Sequence, residues 1–463
     1  MAARILGVRM SHTTALKMAC FGGALCAALG CGRVIEPGEE EGVQAGLCDP
    51  NEEWHLVDEQ LDERAGQSLL WFGDGPVVAT QYTTKNNWSS VERFDGRGDE
   101  LFRKDIRQRV NLLSKAGAGF LAVGHGDGSP RSTTLEFHAG EASFQWRVAF
   151  QTDEDVWPAG VYEVDDALLL IGTQEVYSGA DMDVVVYGLS DRGQPRFTHV
   201  YGDDPPTLGE SSDERVVGSY AFENHVVIVS QTWLNGSGGP VKVLAIDSAG
   251  DLLWEYSDTF QYARGTAWTV APTSDGGALI TGSPSAGGIS SGPGRLLRLD
   301  AKGQRQWVQT LSDPEIEDPE ITASVELPEG DFFVSALGWG PAVRSYRLDP
   351  QGNIKQTVVH TSEQLAGAPG FTRARLMPGG GVLLSSELRD LDGGALNLLR
   401  VDSNGRALWQ HRIDGPGIAF IGDLVVSPQG QVVMAGRFAK EDSVDERHVL
   451  QLSDACQLEP GAP

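Results

Sequence analysis

Two short carboxylate pairs are the residues of this chain whose types and spacing come nearest to chemistry. Asp181-Met182-Asp183 and Asp390-Leu391-Asp392-Gly393 each place carboxylates two residues apart, where a hard cation such as Ca²⁺ could find oxygen ligands. Neither completes a known cation-binding loop. Trp88, Trp233 and Trp339 stand in comparable segments. A tryptophan exposed beside carboxylates is a binding surface for a protein or a glycan. Tucked back, it only covers the end of a sheet, and both readings stay open at this stage. Gly288-Ile289-Ser290-Ser291-Gly292 fits Gly-x-Ser-x-Gly. A nucleophile there needs a strand before it and a helix after it, whereas this one lies in a Gly/Ser loop. The histidines are scattered without metal-ligand spacing. No catalytic residue emerges, and no cofactor is expected beyond that Ca²⁺.

The cysteines sort by position. Arg4, Arg9 and Lys17 charge the start of the chain, and an apolar run from Met18 to Leu29 follows; it is too short for a comfortable membrane span. It ends in Ala28-Leu29-Gly30-Cys31, which is similar to a bacterial lipoprotein cleavage box with Ala28 in place of the usual Leu. Residues 1–30 therefore read as a lipoprotein signal peptide and Cys31 as the lipidated first residue; the alternative is an ordinary secretory signal cut after a small residue. Residues 31–47, with Pro37-Gly38-Glu39-Glu40-Glu41-Gly42, have little to bury and read as a tether. Cys48 and Cys456 remain, one at each end of a folded region over 48–463. In an exported protein such a pair invites one disulfide.

Charge narrows the partners. Removing the three positive charges of residues 1–30 takes the net charge from −28 to −31. So acidic a surface disfavours nucleic acid and an anionic bilayer, leaving the lipid as the membrane contact. Basic proteins, cations and neutral glycans remain open, and the expected partner is a protein or glycan of the cell envelope; the expected location is exported and lipid-anchored, at the outer membrane.

These residues need a scaffold, and a recurring phrase supplies it. Asp-x-x-Gly followed by an aromatic appears as Asp95-Gly98-Phe102, Asp247-Gly250-Trp254, Asp300-Gly303-Trp307 and Asp402-Gly405-Trp409, with Ser190-Gly193-Phe197 lacking only the Asp. Most copies lie roughly fifty residues apart, the mark of an array of equal units. Ahead of each, a tight turn such as Asp275-Gly276-Gly277 or Pro378-Gly379-Gly380 opens a short β-branched run, as a buried strand should. Four antiparallel strands per unit make a propeller blade. The second strands marked by Val77, Phe120, Leu168, Val226, Leu279, Phe332, Val382 and Val432 predict an all-β fold, an eight-bladed β-propeller.

The last unit lacks its fourth strand. Trp54-His55-Leu56-Val57, far upstream, resembles Trp409-Gln410-His411-Arg412 and is expected to complete that blade and close the ring. With Trp54 as its aromatic and Asp454 as its turn residue, Cys48 and Cys456 meet at one turn. A disulfide there would stabilise the fold by roughly 4–5 kcal/mol in the chain-entropy model. The repeated aromatics are expected to pack between blades.

Ala245-Ile246-Asp247-Ser248-Ala249-Gly250-Asp251-Leu252-Leu253-Trp254 resembles the repeat of PQQ-like β-propellers, one residue shorter between Asp and Gly. Arg298-Leu299-Asp300-Ala301-Lys302-Gly303 is similar to delta-60-type bacterial propeller repeats. The likeness covers nearly all of the mature chain but specifies blades and no reaction. It implies a propeller lipoprotein, and the expectation is a non-enzymatic binding or scaffold module of the envelope. The alternative is a quinoprotein-like or hydrolytic enzyme with a site in the central funnel. Short turns would gather on one face of the ring, and the variable, acidic segments carrying the tryptophans on the other.

Overall fold

The computed structural model describes residues 51–61, 67–82, 88–106, 108–125, 133–139, 144–150, 156–177, 181–202, 212–234, 237–258, 265–286, 289–290, 293–311, 313, 319–337, 343–360, 371–388, 393–415, 417–439 and 445–453. Among them there is no helix. Blade 1 is built from Gln67–Phe72, Gly75–Tyr82, Trp88–Phe94 and Glu100–Ile106. Blade 2 uses Arg109–Ala116, Gly119–His125, Thr133–Ala139 and Phe144–Phe150. Blade 3 uses Val156–Val164, Ala167–Tyr177, Asp181–Leu189 and Pro195–Tyr201. Blade 4 uses Ser212–Ala221, Val226–Leu234, Ser237–Ile246 and Leu252–Asp258. Blade 5 uses Gly265–Pro272, Ala278–Ala286, Arg295–Leu299 and Arg305–Thr310, with Ile289–Ser290 paired back onto its second strand. Blade 6 uses Glu320–Glu326, Phe332–Leu337, Val343–Leu348 and Ile354–His360. Blade 7 uses Phe371–Leu376, Val382–Leu388, Gly394–Val401 and Ala407–Gly415.

Blade 8 closes the ring as expected. Ile418–Val426, Val432–Ala439 and Asp445–Ser453 supply three strands, and Asn51–Leu61 is the fourth. Trp54 pairs with Gln451 as Trp409 pairs with Arg400, so Trp54 holds the aromatic position of its blade. The turn position is Ser453, not Asp454, because Leu452 and Ser453 stand where Val401 and Asp402 stand in blade 7. Cys31, Cys48 and Cys456 lie outside the described residues.

The core sits between blades rather than within one. Second and third strands are apolar on both faces, as in Val226-Val227-Ile228-Val229, all fully buried, since each face meets a neighbouring sheet. Eight buried clusters result, one at each interface between consecutive blades. The eighth joins Leu69, Val78 and Phe94 of blade 1 to Val433, Ala435 and Val449 of blade 8. Side chains also strap the innermost strands together: Ser114 Oγ donates to Val161 O at 2.5 Å, and Leu69 N donates to Asp423 Oδ2 at 3.0 Å.

The repeated phrase has a mechanical reading. In each Asp-x-x-Gly turn, one carboxylate oxygen accepts two backbone N–H groups; Asp300 Oδ1 takes those of Lys302 and Gln304, both at 2.9 Å. The glycine sits at positive φ, +71° for Gly303, a region that glycine enters without a Cβ penalty. It also leaves space for the aromatic of the preceding blade. A Cβ on Gly303 would drive into the Trp254 ring, and one on Gly352 would lie 3.1 Å from Trp307. Trp254 Nε1 then donates to Ala301 O at 2.9 Å, and Trp307 Nε1 to Pro350 O at 2.8 Å. Each aromatic thus rests on the next blade's turn. Gly303→Ala is expected to cost at least about 2 kcal/mol, from backbone strain and displacement of the indole. Urea unfolding of that variant checks this, and an unchanged midpoint would refute the packing account.

Candidate functional site

First-to-second and third-to-fourth strand turns share one face of the ring. Its side chains are committed to holding the turns. Arg298 Nη2 donates to Asp275 Oδ1 at 2.6 Å, and Arg347 donates to Asp331 at 2.6 Å and to Glu329 at 2.7 Å. Burial alone would raise Asp275, but hydrogen bonds from Arg298 and Thr273 hold it below the ordinary carboxylate value. This arginine, two residues before the turn Asp, recurs as Arg93, Arg298, Arg347 and Arg400. The sequence reading did not single it out.

The opposite face carries the remaining connections. Trp339, Asp390 and Asp392 lie outside the described residues. Trp88 and Trp233 are not in loops: Trp88 opens a strand opposite Tyr82, and Trp233 stands opposite Gly238, one residue before the end of another. Trp88 is half-buried. Asp181 and Asp183 likewise belong to a strand, opposite Tyr177 and Gln174. Ladder pairing runs further towards this face than the turn residues suggest. Asp183 is buried, its carboxylate against Gly202, which removes it from the exposed surface.

Other acids of that face also turn inward. Glu214 is fully buried, 3.6 Å from Lys242 Nζ. Asp313 Oδ2 accepts from Arg344 at 3.1 Å and from the Tyr346 hydroxyl at 2.8 Å; burial and that carboxylate together raise the Tyr346 phenol. The described part of this face exposes both signs of charge, Asp105 and Asp414 among the acids, and its inner rim carries cationic and aromatic residues as well. Seven of the eight innermost strands carry a bulge at a common level, at Asn111, Ala159 and Val217 in blades 2, 3 and 4. Two residues before it stand Arg109, Trp157 and Arg215. Both arginines are exposed and the indole is half-buried. The inner strand of blade 3 lies between those of blades 2 and 4. The same position is Glu320 in blade 6 and Phe420 in blade 8, where Arg437 lies 4.7 Å over the ring. Asn111 is exposed beside them, its Oδ1 accepting from Gln81 Nε2 at 2.8 Å. Arg109, Trp157 and Arg215 escaped the sequence reading because the level is set by bulges. Alignment of Arg109-Val110-Asn111, Trp157-Pro158-Ala159 and Arg215-Val216-Val217 would have been the signal.

The titratable groups that resemble catalytic sets serve packing. Ser345 Oγ lies 2.7 Å from His360 Nε2, a nucleophile–base spacing. Both residues are about 1% exposed, with Phe371 edge-on to the imidazole, so a substrate carbonyl has no approach. Burial pushes His360 down to about 4. In blade 8, burial and the neighbouring His55 push His448 down to about 4 as well. Burial would raise Glu136, yet hydrogen bonds from His138 and Lys104 hold it below its ordinary value. Among the described residues no group of three or more His, Cys, Asp or Glu is placed to hold a metal ion. Ser290 lies in the short strand Ile289–Ser290, not at a strand-to-helix elbow.

His360 makes acid sensitivity predictable. The folded chain keeps the ring neutral to about 4, while an unfolded histidine takes its proton near 6.5. The contribution is therefore complete above that value and is lost as pH falls towards 4, amounting to ~3 kcal/mol. Urea midpoints measured across this range should fall more steeply for the wild type than for His360→Gln. Parallel curves would refute it.

No family model and no curated relative matches the chain. Solved structures do. Sqt1 from Chaetomium thermophilum superposes with a TM-score of 0.56 at 10% identity, over 88% of this chain and 99% of its own. A europium-containing methanol dehydrogenase gives 0.53 at 11% identity, over 87% and 92%. BamB from Moraxella catarrhalis gives 0.41 at 12% identity, over 75% and 84%. At such identities the likeness conveys architecture: this chain is an eight-bladed β-propeller of four-stranded antiparallel sheets.

Proposed function

We propose that the protein is a non-enzymatic binding or scaffold module of the bacterial cell envelope, exported and held through a lipid on Cys31. The observation that carries this reading is the entry point of the chain. Asn51 begins the outermost strand of blade 8 opposite Ser453, on the face of the short turns. The tether over residues 31–47 spans at most ~60 Å and leads to that side. The face of variable connections, with Arg109, Trp157 and Arg215, therefore points away from the anchor and towards a partner. Support of a looser kind comes from Sqt1, seen bound to the N-terminus of the ribosomal protein L10 on a propeller with a TM-score of 0.54 to this one.

Replacing Cys31 by Ser tests the anchor. Wild-type protein should incorporate labelled palmitate and enter the detergent phase on phase separation, and Cys31→Ser should lose both properties. Equal partition of the two proteins would remove the anchor from the reading. The alternative, an enzyme with a site in the central funnel, draws on the likeness to the methanol dehydrogenase. A visible cofactor band in protein purified from its native envelope would favour it.

A further inference from the structure

We infer that the contact between His55 and His448 is an acid-sensitive clasp on ring closure: protonation of both rings releases the strand Asn51–Leu61 from blade 8 and leaves the other seven blades assembled. This goes beyond the reading as a binding module and does not rest on it. His55 Nε2 lies 3.0 Å from His448 Nδ1, one ring from each end of the folded chain. Asn51–Leu61 is the outermost strand of its sheet and, among the described residues, pairs with Asp445–Ser453 alone. In every other blade the outer strand follows the third strand directly in the chain. Here it does not, so it can leave without unfolding a hairpin, as locally opening elements do.

One proton is tolerated at the contact. A single N–H bridges the two nitrogens whether the pair is neutral or carries one charge. A second proton sets N–H against N–H and cation against cation. Little around His448 relieves this. It is 5% exposed, has Phe438 edge-on at 4.9 Å, and shares the side of its strand with Leu450 and Leu452, which pack against blade 7. From blade 7, His411 lies on the side of its strand that carries buried Trp409, and Glu387 Oε2 accepts from Ile421 N at 2.8 Å. Arg447 turns the other way, to Glu92 of blade 1. The acids along the two strands are Glu52, Glu53, Asp58, Glu59, Asp445 and Glu446. Glu53 is exposed, and the side chains of the others lie outside the described residues. Carboxylates there favour a proton on half-buried His55, whereas burial and the neighbouring His55 push His448 down to about 4. Once released, both rings take protons near 6.5. The seam is therefore fully held above that value and loosens as pH falls towards 4.

Hydrogen exchange of the full-length protein, read by mass spectrometry on the segment Asn51–Leu61, tests the clasp. After correction for intrinsic rates, opening of this segment is expected to rise about twentyfold from pH 7 to pH 5. Leu252–Asp258, an outer strand without histidine, should not change. In His448→Leu and in His448→Gln the rise should disappear. Exchange at the imidazole C2 carbon gives a second reading that needs no variant: His448 of the folded wild type should titrate well below 6.5. The proposal is overturned by no rise in Asn51–Leu61, by an equal rise in both segments, by the full rise persisting in both His448 variants, or by an ordinary titration of His448.

Discussion

Cys48→Ser or Cys456→Ser is expected to lower stability by on the order of 5 kcal/mol, and the double substitution to cost no more than either single one. The reason lies in the closing strand pair. Asn51 stands opposite Ser453 and Glu52 opposite Leu452, so one residue number rises as the other falls. Three more steps along the same ladder would set Cys48 opposite Cys456, and we propose that they are joined. A cross-link there closes a loop of nearly the whole folded chain, the case in which the unfolded state loses most entropy. It also fastens the one strand that blade 8 borrows from the other end of the sequence, where fraying would expose an unpaired edge. Urea unfolding with and without reductant reads the effect. The wild type should lose stability on reduction, and each serine variant should be indifferent to it. Full alkylation of both thiols in the folded, unreduced protein would refute the pairing.

How much of this could be read beforehand follows from what each signal reports. Turn chemistry is local, so Asp247-Gly250 or Asp300-Gly303 announces a hairpin by itself, and its period announces blades. The match of Trp54 to the blade aromatic was legible for the same reason and is borne out by its pairing with Gln451. The offset at Ser453 was not, because a run ending Leu452-Ser453-Asp454 offers two turn residues and only the ladder chooses. The acidic face was read from composition, which counts carboxylates without directions. Glu214 and Asp313 face Lys242 and Arg344, positions distant in sequence. The arginine braces and the level of Arg109, Trp157 and Arg215 depend on bulges, which shift a ladder by one residue and leave no mark of their own in the sequence.

Arg447→Met is expected to cost about 3 kcal/mol, while the pair Glu92→Leu with Arg447→Leu should return to within about 1 kcal/mol of the wild type. At the closing interface Arg447 of blade 8 donates from Nη1 to Glu92 Oε2 and to Thr80 Oγ1 of blade 1, each at 3.0 Å. Both charged side chains are 1% exposed or less. Glu92 pairs with Arg103 one step before the aromatic position, where Leu244, Leu297 and Leu399 stand in blades 4, 5 and 7. Leucine is thus a common occupant, although Glu136, Tyr187 and Tyr346 stand there in blades 2, 3 and 6, and among the described residues the closing interface has the smallest apolar cluster, six buried residues against thirteen between blades 7 and 8. Removing Arg447 alone leaves Glu92 buried, with Arg103 at 3.0 Å as its remaining charged partner. Removing both charges restores the apolar contact used elsewhere. What sets the closing interface apart is the partner: Glu92 meets Arg447 of blade 8, whereas Glu136 at the same position of blade 2 meets Lys104 and His138. Urea unfolding of both variants decides the matter: an unchanged midpoint for Arg447→Met, or a double variant no better than the single one, would refute the ion pair as the determinant of closure.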